Sequence, residues 1–137
     1  MPLIHVALRE GTDPHYRRAL ATGIQRAMID VLGIPDDDYF QLTHEQTAEN
    51  LIYDRNFFGV PRSDDAVLVA LSFNARPAAA KQALFEAIAG NLERDPGLPR
   101  TDLFMTIVET APENWWAQGR TVDPISGTDS RMAPQPG

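Results

Sequence analysis

The chain contains no cysteine, which excludes disulfides and thiolate chemistry. It is also short of basic residues: 12 Lys and Arg stand against 19 Asp and Glu, for a net charge of −7. A nucleic-acid partner needs clustered positive charge, so such a surface argues against one. No apolar run approaches the about 18 residues that read as a membrane span. The N-terminus lacks the basic segment and apolar stretch of a secretory signal. A soluble, cytoplasmic protein with no membrane partner is the expectation. Catalytic signatures are missing too: GxSxG, GxGxxG and GxxxxGK[ST] are all absent. "HEQTA" at His44 is half of a zinc-protease motif without its second histidine. His5, His15 and His44 have no ligand spacing, so neither a metal nor a cofactor is expected.

What is present suits one compact domain: 137 residues, 43% of them apolar. Laid on itself in one constant register, with Leu3 on Val67, the chain repeats without a gap. Leu3–Leu8 falls on Val67–Ser72, Arg17–Pro35 on Lys81–Pro99, and Asp37–Glu45 on Thr101–Glu109. Identities include Leu20/Leu84, Ile24/Ile88, Gly33/Gly97, Asp38/Asp102 and Phe40/Phe104. Each half reads as strand, helix, strand, over about residues 2–45 and 66–109. Strands are predicted at Leu3–Leu8, Tyr39–His44, Ala66–Phe73 and Leu103–Glu109.

In the first helix Leu20, Ile24, Ala27 and Met28 recur at helical spacing. Thr12 or Asp13 can cap it, and Pro14 suits its first turn. Leu84, Ile88 and Leu92 stripe the second helix, with Pro77 in its first turn. Gly33 and Gly97 sit where a left-handed residue ends a helix, each with proline following. The fold class is therefore α/β: two tandem βαβ units, right-handed by the general rule, form a four-stranded sheet with two helices on one face. Oligomerisation is the economical way to cover the bare face. Residues 46–65 are turn-rich yet carry Leu51, Ile52, Tyr53, Phe57 and Phe58, so a packed excursion is expected, with a short strand at Leu51–Tyr53. The domain is expected to span residues 1–120. Residues 121–137, rich in Pro, Gly and Ser, form a flexible or subunit-wrapping tail.

Few residues invite chemistry. Pro2 suits the first position of a strand. If Met1 is removed, it is also a terminal secondary amine of the kind that titrates near neutrality. Its partner in the second half is Ala66, so the halves differ at this position. Arg76 follows the third strand at the start of a helix, where a cation gains nothing from the macrodipole. It is either a solvated side chain or a carboxylate binder. Asp38, in "PDDDYF", is placed to tune an amine or orient a water, yet its counterpart Asp102 suggests a shared turn. Trp115 and Trp116 either wall an apolar pocket or cover a sheet face.

The stretches "PLIHVALREG", "LGIPDDDYFQ", "FGVPRSDDAVLVAL", "ARPAAAKQALFEAIAGNLE" and "PENWWAQG" together resemble the tautomerase superfamily. The likeness is to its longer members, such as malonate semialdehyde decarboxylase, and covers residues 2–120. It implies two βαβ units related by a pseudo-twofold axis, a homotrimer, and catalysis by an N-terminal proline without a cofactor. Carried over by position, Pro2 is the catalytic amine, and Asp38 and Arg76 are catalytic. Asn74 stands where the decarboxylase has the first of two arginines, and Trp115 joins its hydrophobic wall. One guanidinium and a neutral amide hold less charge than two guanidiniums. The implied function is therefore keto–enol proton transfer on a 2-oxo acid. The alternatives are decarboxylation or hydration of a 3-oxo acid such as malonate semialdehyde, or a trimeric relative that catalyses nothing.

Overall fold

A computed structural model describes residues 1–118, so the segment 121–137 lies outside it. Strand β1 (Leu3–Arg9) leads to helix α1 (Pro14–Leu32) and strand β2 (Gln41–Gln46). Strand β3 (Val67–Asn74), helix α2 (Ala78–Arg94) and strand β4 (Leu103–Thr110) repeat the pattern. Each unit pairs its own strands in parallel, while β1 and β3 run antiparallel, giving the order β2-β1-β3-β4. The predicted strands lie within two residues of the observed ones. The antiparallel junction is what relates the units by a twofold.

Alternation along β1 and β3 sends Ile4, Val6, Leu8, Val67, Val69, Leu71 and Phe73 to the helix side. There they meet Leu20, Ile24 and Met28 of α1 and Leu84, Ile88 and Leu92 of α2. Among the described residues the opposite face carries no α-helix; Phe57 of the excursion meets Phe104 there at 6.2 Å between ring centroids, and Leu42, Phe104 and Val108 remain exposed on it. Asp13 caps α1, its side chain accepting from the His15 N–H at 2.7 Å, and Gly33 ends it with φ of 68°. Gly97 also takes a positive φ, 97°, although α2 stops earlier, at Arg94, because Pro96 cannot continue a helix.

The repeat is visible in contacts as well as in sequence. Arg17 pairs with Glu45 at 3.0 Å, and their counterparts Lys81 and Glu109 pair at 2.7 Å. Asp38 and Asp102 each donate their N–H to the carbonyl three residues back, in Pro35 and Pro99. Among the described residues no helix is long and apolar enough to cross a membrane.

The excursion packs as expected, with Phe57 against Phe104, but forms no strand. Leu51–Tyr53 is irregular, not a strand, and among the described residues β2 is an edge strand. The segment is anchored by polar groups: Asp64 pairs with Arg9 and Arg55, and Ser63 reaches Asp102. Ile52 and Phe58 point outward, and Phe58 has a left-handed φ of 59°.

The two helices approach closely at Gly23. A Cβ there would lie 2.7 Å from Leu92 Cδ2, so the fully buried Leu92 side chain would have to shift. Asn91 Nδ2 donates to the Gly23 carbonyl at 2.9 Å across the same contact. Gly23→Val is expected to destabilise by about 1–3 kcal/mol through overpacking. A lowered urea midpoint at unchanged slope checks it.

Candidate active site

The antiparallel junction gathers strand ends. Leu3 faces Ser72, so β1 begins where β3 finishes. The start of β2 lies alongside, with Ile4 facing Gln41 and the Ile4 N–H donating to the Phe40 carbonyl at 2.9 Å. Asn74 faces Thr110 at the end of β4. One end of the sheet therefore holds the chain start, the Asp38 turn, Asn74, Arg76 and Thr110.

Asp38 is 5% exposed, and its Oδ2 lies 3.3 Å from the N-terminal amine of Met1. Pro2 itself is buried. The counterpart Asp102, 6% exposed, accepts from the Ser63 N–H and hydroxyl, both at 2.7 Å. In each half, then, this carboxylate receives the chain entering the first strand. The first half offers it a charged amine, the second a backbone N–H and a hydroxyl. The second end also has Ala66 for Pro2 and Thr12 for Arg76. A cavity of about 530 Å³ lies there, lined in part by Tyr16, Asp65 and Asp102. Burial, then the two carboxylates, push the Tyr16 phenol above its ordinary range.

Arg76 is held by its backbone. Its N–H donates to Glu109 Oε2 at 2.9 Å, while Lys81 holds Oε1 at 2.7 Å. The Lys81 hydrogen bond, then that from the Arg76 N–H, keep the Glu109 carboxyl below the usual range. The guanidinium lies 6.0 Å from the Phe73 ring centroid, and Nη1 donates to the carbonyls of Asn74 at 3.0 Å and Ala75 at 3.2 Å. Burial pulls its pKa down, partly offset by Glu109, yet an arginine stays charged. Its Nε is buried with no hydrogen-bond partner among the described residues. A charged donor left in that state suits an anionic ligand.

Asn74, 8% exposed, accepts at Oδ1 from Thr110 Oγ1 at 2.9 Å and Trp115 Nε1 at 2.8 Å. Two donors on one oxygen fix which way the amide faces. Of the tryptophan pair, Trp115 is thus tied to Asn74, and Trp116 is 87% exposed. The sequence reading missed Thr110, Glu109 and Lys81. The second and third were within reach, since the repeat sets them on Glu45 and Arg17, a pair of the same charges.

Two tautomerase models, each described as a tautomerase enzyme, match this chain over residues 38–116 and 2–60. The chain belongs to the tautomerase family. A curated relative, the probable tautomerase YusQ of Bacillus subtilis (strain 168), is 27% identical over 84% of this chain and 91% of its own. Crystal structures of malonate semialdehyde decarboxylase superpose with TM-scores of 0.81 and 0.78. Identities are 25% and 30%, over 86% and 83% of this chain and 92% and 87% of the decarboxylases. The first was described as a basis for decarboxylase and hydratase activities; the second was inhibited by 3-bromopropiolate. A fused 4-OT symmetric trimer, 17% identical with a TM-score of 0.71 over 97% of this chain and 99% of that one, shares the fold.

Proposed function

We propose that this tautomerase interconverts the enol and keto forms of a 2-oxo acid, with Pro2, freed of Met1, as the proton carrier. One observation carries the reading. The terminal amine of Met1, one residue before Pro2, stands 3.3 Å from the buried carboxylate of Asp38, at the sheet end that also holds Arg76 and Asn74. In ketonisation the neutral amine takes the enol O–H proton, and the O–H electrons become the second bond of the carbonyl. The C=C electrons then take a proton back at carbon from the ammonium, leaving the amine neutral. Arg76 binds the carboxylate or the enolate oxygen, Asn74 adds a neutral hydrogen bond, and Asp38 orients a water or the amine. Trp115 helps exclude water. The bare sheet face, with no carboxylate on its strands, supports assembly of copies into a homotrimer.

A specific observation favours a second reading. A carboxylate beside an amine favours the charged amine. A protonated Pro2 is an acid that polarises a carbonyl, as decarboxylation or hydration of a 3-oxo acid requires. The likeness to malonate semialdehyde decarboxylase supports this alternative. A non-catalytic trimeric relative is the third reading.

The test is the intact mass of untagged protein, followed by assays with phenylpyruvate enol and malonate semialdehyde. Loss of Met1 with turnover of the enol is the expected result. Turnover of the semialdehyde alone moves the assignment to the second reading. Full retention of Met1 leaves Pro2 with an amide nitrogen and overturns proline catalysis.

A further inference from the structure

His5 and His44 are far apart in sequence, yet their side chains meet on the bare face of the sheet. Leu42 faces His5 and Ala7 faces His44, so both rings belong to that face. Nδ1 of His5 lies 2.8 Å from Nε2 of His44, with the ring planes 6° apart. Stacked rings keep their atoms about 3.5 Å apart. So close an approach between parallel rings means that they meet edge to edge, through one N–H···N hydrogen bond. Such a bond needs one ring as donor and the other as neutral acceptor. The pair accommodates no charge or one charge, and a second proton breaks it.

Little else on the described strands of that face titrates. Its strand residues include no carboxylate: Glu45 faces the helix side beside Leu8 and pairs with Arg17, and Glu109 does so beside Phe73 and pairs with Lys81. Arg9, at the far end of β1, shares the Asp64 carboxylate with Arg55, at 3.1 Å and 2.6 Å. Across β3 and β4 the face presents Leu68, Ala70, Ser72, Phe104, Thr106 and Val108, none of them ionisable. The molecule as a whole carries −7. At the border with the excursion, Asp54 and Arg62, one of each sign, line a hollow together with Leu68 and Phe104. Among the described residues the face therefore carries no excess negative charge, and that is where acidic copies approach with least repulsion. The occupant of this face is therefore a second copy of the chain.

We infer that the His5–His44 pair makes contact between copies of this chain proton-sensitive, holding them together near neutral pH and releasing them in acid. The inference rests on the assembly reading above. Imidazoles ordinarily titrate near pH 6.5. In a covered face the second proton would place two like charges in contact away from water, a costly state. Separated copies let both rings charge in solvent. They bind more protons, so lowering the pH favours separation. Each linked proton shifts the dissociation constant about tenfold per pH unit. With one extra proton at each of three pairs, a trimer's constant rises up to about a thousandfold per unit.

Sedimentation of the full chain at pH 8, 6 and 5 tests this, with His44→Gln and His5→Asn beside the wild type and ring-proton NMR titration of the wild type. The expected result is a wild type assembled at pH 8 and dissociated at pH 5, with histidine titration coincident with dissociation. Either variant that assembles at pH 8 should stay assembled at pH 5. A wild type monomeric at pH 8 overturns the assembly reading together with this one. Equal assembly at pH 8 and pH 5 overturns only the proton-sensitive contact. Acid dissociation that persists in a variant, or histidine titration well apart from dissociation, assigns the effect elsewhere and overturns it as well.

Discussion

Pro2→Ala is expected to lower kcat/KM for enol ketonisation by about 10²–10⁴-fold, the usual worth of a positioned general acid–base. Pro2 lies one residue before the strand that pairs with β2 and β3, so the backbone register does not depend on its ring. Circular dichroism and the melting curve should therefore change little. Alanine at this position still permits loss of Met1, and the variant keeps an amine, but a primary one that lacks the fixed ring. The pH profile separates the two chemistries. A base must be neutral, so activity falls in acid as the amine protonates. An acid must be charged, so activity falls in alkali as the amine deprotonates. Activity unchanged in Pro2→Ala would leave only the non-catalytic reading.

Phe73→Ala is expected to cost about 3–5 kcal/mol, the range for emptying a buried aromatic site. Phe73 is the largest fully buried side chain among the described residues. It sits on β3, which pairs with β1 on one side and β4 on the other. Both neighbours and the two helices would have to move to fill the hole. Total stability of about 5–15 kcal/mol makes this a large fraction. A urea midpoint reduced in proportion is the readout. Phe73→Leu keeps most of the volume and should cost less than about 1.5 kcal/mol, as volume-conserving exchanges do. That milder variant also reports on the site. The ring lies 6.0 Å from the Arg76 guanidinium, so KM for an anionic substrate should rise with little change in stability. A loss below about 1 kcal/mol for Phe73→Ala would mean that the core around β3 collapses far more easily than its packing implies.

Much of this fold is legible in the sequence because it is written twice. One constant register aligns strands, helices, terminal glycines and even one ion pair, so each half corroborates the other. Within a half, apolar spacing and the Asp13–Pro14 start fix α1, since those signals are local. The direction of one unit against the other is not local. Nothing in the pattern of β1 says that β3 will lie antiparallel to it, yet that single pairing brings the Asn74–Arg76 end to the chain start. The excursion misleads for a related reason: Ile52 and Phe58 look like core residues but project outward from a segment fastened by Ser63 and Asp64. Asp38, Arg76 and Trp115 stand out among the residues themselves and Asn74 only through the family resemblance; Asn74, Arg76 and Trp115 are joined by hydrogen bonds. The His5–His44 pair escapes such a reading because its members belong to neighbouring strands with a helix between, a closeness that sequence spacing does not encode.

The clamp at Asp102 shows what joining two half-units does to a protein of this kind. Once a second unit continues from the first, its leading residue is an ordinary amide, and the carboxylate that would face a free terminus closes on Ser63 instead. Fusion thereby breaks chemical symmetry while leaving geometric symmetry intact. One end of the molecule keeps an ionisable nitrogen, and its twin becomes a hinge pin for the linking chain. Cleaving the backbone before Ala66 would reverse this, creating beside Asp102 the kind of terminus that Asp38 already faces. The unequal twins leave the Asp102 end free to change its lining without disturbing any chemistry at the Asp38 end.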